Sequence, residues 1–157
     1  MAKRWNLVLP VAAAILVALS VGCAGGGDSS STEDYKASVV DARDRVDSAL
    51  AGITQAESEQ DFLDRLDQAG AIAKDAADEL DDTKPPSEFA DETTRLTRHL
   101  RELAASLEGT ADQARDLGFD QFLAGASGLN FDSWDKVNAV FADLRRQGVE
   151  VEPLARH

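Results

Sequence analysis

A chain of 157 residues has room for one domain of ordinary size. It carries 16 Lys and Arg against 29 Asp and Glu, a formal net charge of -13, which excludes the positive field that nucleic-acid binding needs. One Cys and two well-separated His exclude a disulfide framework and a zinc-ligand cluster, and no motif calls for a cofactor or another metal.

Met1 to Arg4 is a short basic start, and Trp5 to Val21 contains no charged residue. A basic start, an apolar run and small residues at its end describe a secretory signal. The run, about 17 residues, sits at the lower edge of a membrane-spanning helix. Pro10 and the small residues before Cys23 favour a cleaved signal over a permanent anchor. Leu19-Ser20-Val21-Gly22-Cys23 resembles the lipobox of bacterial lipoproteins. Gly22 fits the small residue required before the cut, while Ser20 stands where that pattern usually has Leu. The resemblance implies a diacylglycerol thioether on Cys23, cleavage between Gly22 and Cys23, and loss of residues 1–22. The mature chain is then expected at the extracytoplasmic face of the cell membrane, held there through lipid on Cys23. The alternatives are a secreted chain with a free thiol and an uncleaved anchor. Two or more acyl chains make a stable anchor, because each buried CH2 contributes about 0.8 kcal/mol and one chain alone is marginal. Removing the signal takes away Lys3 and Arg4 and no acid, so the net charge moves from -13 to -15. Anionic headgroups repel a surface of that sign, so the domain is expected to stand off the membrane.

Residues 23–31 form the lipidated Cys and a Gly/Ser tether with nothing larger than Ala to bury. A flexible linker of about nine residues spans roughly 15–18 Å. The helical domain is expected over residues 32–157. Tyr35, Val39, Ala42, Val46, Ala49 and Ile53 recur at spacings of four and three, which predicts a first helix over about 32–54. Ser30 with Glu33 reads as its capping box. Ser58 caps a second helix over about 59–82, with the stripe Phe62, Leu66, Ala69, Ala73, Ala76 and Leu80. Lys84-Pro85-Pro86 stops it, because proline disfavours a helical residue before it. Ser87 and Glu88 open a third helix over about 87–117, with Phe89, Thr93, Leu96, Leu100, Leu103, Leu107, Ala111 or Ala114 and Leu117 inward and Gly118 as its stop. Gly109 is a weak point within it.

Gly118, Gly125 and Gly128 break the next stretch, which has room for a short helical turn. Asp132 is expected to cap a shorter fourth helix whose inward face is Trp134, Val137, Val140, Phe141 and Leu144. Arg145 and Arg146 suit its negative end, and Gly148 ends it. Val149 to Leu154 reads as a short extended tail along the bundle. The fold predicted is all-α: an antiparallel bundle of three long helices plus a shorter fourth, joined by short connections.

The tether, the Pro85-Pro86 break and the closing Gly148-Val149-Glu150-Val151 loosely resemble small actinobacterial-type helical lipoproteins. That resemblance is one of composition and architecture and transfers no activity and no site residue. His99 has only Glu102 and Arg95 within helical reach, and no nucleophile motif, P-loop or calcium loop is present. No catalytic residue is assigned, and the chain is read as not an enzyme. The candidate patch for a partner or ligand is Phe119, Phe122, Phe131 and Trp134, where aromatics gather among glycines. The competing reading makes them a plug over the open end of the bundle. The function expected is a membrane-anchored, non-catalytic binding or scaffolding module using its helix faces, its partner a protein with a basic segment. The alternative is a carrier of a small apolar ligand or lipid held between the helices.

Overall fold

Ser31 begins the first helix with its side chain. Its Oγ accepts the backbone N–H of Asp34 at 3.1 Å and donates to the Asp34 carboxylate at 2.6 Å. The cap is thus one residue later than the Ser30–Glu33 pair. The serine run offers two frames, and the chosen one lets Tyr35 N–H reach the Ser31 carbonyl at 3.0 Å. The structure, a computed structural model, describes residues 31–125 and 131–156. The signal, the lipobox with Gly22 and Cys23, and the tether up to Ser30 lie outside the described residues.

The described residues form five helices: α1 (Thr32–Ile53), α2 (Glu59–Asp82), α3 (Ala90–Leu117), α4 (Phe119–Gly125) and α5 (Asp132–Arg146). A 3-10 turn over Ser87–Phe89 leads into α3. No strand occurs among the described residues. Ser58 caps α2 as expected, accepting from Asp61 N–H at 3.2 Å. Before Pro85, Lys84 takes a positive φ of 47°, so the chain leaves the helix there. The fourth predicted helix is α5, but Asp132 is its first residue rather than its cap. Phe131 occupies the cap position, without a side-chain bond, and its carbonyl accepts Trp134 N–H at 3.0 Å.

Ion pairs fix the directions. Arg45 binds Glu79 across α1 and α2, Arg101 binds Asp78 and Asp81 across α2 and α3, and Arg95 meets Asp143 across α3 and α5 at 2.9 Å. Along each pair of neighbours the residue numbers run in opposite senses, since Arg45 meets Glu79 while Gly52 meets Arg65, Arg101 meets Asp78 while Arg115 meets Asp67, and Arg95 meets Asp143 while Glu102 meets Lys136, so neighbours run antiparallel. The stripes meet inside. Leu66, Leu80, Leu96, Leu100, Leu103 and Leu107 are fully buried. The alanine seam of α2 is closed as tightly, with Ala69, Ala73, Ala76 and Ala77 at most 1% exposed.

Three stripe positions differ from the periodic reading. Leu50 takes the inward place in α1 while Ala49 is half-buried, and Leu63 does so in α2 while Phe62 is half-buried. In both pairs two adjacent apolar residues straddle the inward direction, and the second of the two takes it. Leu117, expected in the α3 stripe, is 45% exposed as the last residue of α3, where Gly118 turns the chain away.

α5 has 15 residues against 28 for α3. It therefore covers only one half of α3, with Lys136 beside Glu102 at 3.3 Å. At its far end Gly148 adopts φ 88°, and Val149 N–H returns to the Leu144 carbonyl at 3.0 Å, a glycine-terminated helix end. The tail then runs back between α5 and α1 and buries Val149, Val151 and Leu154. It is bent rather than fully extended, since Val151 N–H bonds the Val149 carbonyl at 2.9 Å. A buried segment outside helix or sheet needs partners for its peptide groups. Side chains supply them. Arg43 of α1 donates to the Glu152 and Pro153 carbonyls at 3.2 and 2.8 Å. Asn138 of α5 clamps Leu154, accepting its N–H at 2.7 Å and donating to its carbonyl at 3.2 Å.

Candidate functional site

The four candidate aromatics serve two different places. Gly118 turns the chain at the end of α3 with φ 79°, a conformation L residues rarely adopt. α4 is thereby folded back against the uncovered half of α3. Phe119 and Phe122 meet Phe62 of α2, at ring-centroid distances of 5.4 and 6.3 Å. Phe122 is buried, and Phe119 is half-buried. Trp134 instead faces the tail: its indole N–H points at the Leu154 carbonyl at 3.4 Å. Phe131 is half-buried against the core beside Ser133 and Lys136. Among the described residues no ring-to-ring contact joins the α4 pair to Trp134.

Phe62 is the residue that sequence reasoning missed here. Its place in the α2 stripe hid its role as the floor on which α4 sits. Leu123 was legible only as an apolar residue of the broken segment, and it is 49% exposed. Leu117 and Leu123 are the large apolar side chains left exposed among the described residues, and they flank Gly118. Residues 126–130, with Leu129, lie outside the described residues.

His99 Nδ1 lies 3.0 Å from the Glu102 carboxylate, which also receives Lys136. The hydrogen bond from His99, and secondarily that from Lys136, holds the Glu102 carboxyl below its usual range. Ser106, on the next turn, donates to the Glu102 main-chain carbonyl at 2.8 Å, so its hydroxyl is committed. The carboxylates of α1 and α2 do not gather: among the described residues there is no group of three ligating side chains fit to hold a metal ion.

Among the described residues the two larger grooves lined by α1 open to solvent. One, of about 560 Å³, lies against α2 and is lined by Ala49, Gly52, Ala69 and Ile72 with Arg45 and Arg65 at its edges. The other, of about 770 Å³, lies between α1 and the tail and is lined by Lys36, Val40, Asp44, Gly148 and Glu150. Among the described residues no helix is long and apolar enough to cross a membrane. Comparison with family models, with curated proteins and with solved structures gives no match to this chain.

Proposed function

We propose that the chain is a lipid-anchored extracytoplasmic lipoprotein, carrying diacylglycerol on Cys23, whose helical bundle is a non-catalytic module that binds or scaffolds a protein partner. The anchor rests on Leu19 to Cys23, and the first helix begins at Thr32, immediately beyond the proposed tether. The observation that carries the binding role is the contrast between a filled interior and an incompletely covered end. Leucines and alanines close the seams between the long helices, which favours surface binding over carriage of a ligand inside. Leu117 and Leu123 stay exposed at one end.

The anchor is tested by Cys23→Ala in the full chain, followed by fatty-acid labelling and membrane fractionation. The lipid label and the membrane retention should both disappear. A variant that still sediments with membranes would refute the anchor.

A further inference from the structure

We infer that the end of the bundle built by α4 and the α3–α4 turn is a docking surface for a basic protein segment bearing apolar side chains, with Leu117 and Leu123 as its contact points. This rests on the reading of the chain as an anchored binding module and adds to it a site and a partner chemistry.

Apolar exposure and charge coincide at this end. Burying a leucine side chain contributes about 1.5–3 kcal/mol. The bundle buries its interior leucines to a few per cent, yet leaves Leu117 and Leu123 45% and 49% exposed. Phe119, lying between them in sequence, is half-buried with its ring against Phe62. Around them the acids are in surplus. Glu57, Glu59, Asp116 and Asp120 are exposed and carry no ion pair among the described residues. The nearby cations are spent within the chain. Arg65 bonds Asp61 and the Gly52 carbonyl at 2.8 and 2.9 Å, and Arg115 binds Asp67 and Asp112.

The charge selects the occupant. A second copy meeting this end about a two-fold axis would bring the same acids face to face. An anionic lipid surface is repelled for the same reason. A segment that offers Lys or Arg beside apolar side chains answers both features at once. The position agrees. Residue 31 enters α1 at the opposite end, and a helix of 22 residues spans about 33 Å. An anchor upstream of residue 31 joins the bundle at the end away from Leu117 and Leu123.

The test is photo-crosslinking in living cells with the full-length lipidated chain. A benzophenone amino acid replaces Leu117 or Leu123, and in controls Ser48 or Gln68 of the α1–α2 groove. All four side chains are exposed or half-exposed, and membrane fractionation with circular dichroism checks each variant. The expected result is a protein adduct from positions 117 and 123 whose crosslinked peptide contains Lys or Arg beside apolar residues. Asp116→Asn with Asp120→Asn should lower that yield about five-fold, the size expected from two exposed ion pairs. Adducts to a second copy, to lipid, or to a peptide without basic residues would overturn the inference. So would a yield indifferent to the two Asn substitutions. Adducts from the groove positions alone would overturn this site and leave the binding-module reading standing. No protein adduct from any of the four positions would overturn both.

Discussion

The contact between Tyr35 and Thr93 ties the start of α1, where the proposed tether enters, diagonally to the start of α3. The Tyr35 hydroxyl lies 2.7 Å from Thr93 Oγ1 with the tyrosine fully buried. Thr93 has one hydroxyl hydrogen and spends it on the Phe89 carbonyl at 2.8 Å, so Tyr35 is the donor of the pair. Tyr35→Phe keeps the ring stacked on Phe89, at a centroid distance of 4.9 Å, and removes one hydrogen bond. It should cost about 1 kcal/mol. Thr93→Val leaves the tyrosine hydroxyl buried with no acceptor and should cost about 1–3 kcal/mol, the larger of the two. The double variant removes the stranded donor together with its acceptor. It should be less destabilised than the sum of the singles by about 1 kcal/mol. Urea unfolding of the four proteins measures this, provided the m-value is unchanged. Single effects that add to within about 0.5 kcal/mol would refute the reasoning. Alkaline titration gives a second readout. Burial, with a smaller contribution from the Glu92 charge, raises the Tyr35 pKa above its ordinary 10.0. The folded state therefore holds the proton that the unfolded chain releases. The stability this contributes is fully present below pH 10 and is lost as the pH climbs from there through the folded-state value. Tyr35→Phe should lack that part of the alkaline slope.

Two glycines on the helices should respond in opposite directions. A Cβ at Gly70 would meet the Glu108 side chain at 3.2 Å and the Ala104 carbonyl at 3.3 Å. Overpacking there should outweigh the helix-propensity gain and leave Gly70→Ala less stable by about 1 kcal/mol. Gly109 has nothing within 4 Å of that position, so Gly109→Ala should raise Tm, gaining about 0.5–1 kcal/mol. Asn138→Ala removes both bonds to Leu154 and should cost about 1–3 kcal/mol. Amide exchange at Leu154 should accelerate while exchange in mid-α3 changes only by the global loss; uniform acceleration would place the tail in the same cooperative unit as the helices. The Asp78 carboxyl is held below its usual range by hydrogen bonds from Lys74 and then Arg101. Its contribution is present above the ordinary carboxylate pKa and is lost as pH falls through it toward the folded value. Acid unfolding of Asp78→Asn should therefore show a shallower slope, and an unchanged slope would count against the pairing.

The helices were legible because their signals are local. Spacings of four and three from Tyr35 to Ile53 and from Leu66 to Leu80 mark one helix face whatever lies opposite. Ser58, the Pro85-Pro86 pair, Gly118 and Gly148 punctuate the chain through restrictions on one or two residues each. Short connections then leave antiparallel packing as the available arrangement. The candidate site was legible only as a stretch of aromatics among glycines. Its composition could not divide the four rings between two places, because Phe119 and Phe122 find their partner on α2 while Trp134 finds its own on the tail.

What the sequence by itself determined, then, is the set of longer helices, their ends to within a residue or a turn, and most of their apolar faces, each encoded within a few residues of chain. The tertiary structure decided which of two adjacent apolar residues points inward, as with Leu63 over Phe62, and which leucine stays wet, as with Leu117. It also decided that an irregular tail is held in place by Arg43 and Asn138. These outcomes depend on how the helices are placed against one another and on side chains up to 110 positions away in the chain. Burial is a property of what covers a residue, and the covering groups are not its sequence neighbours.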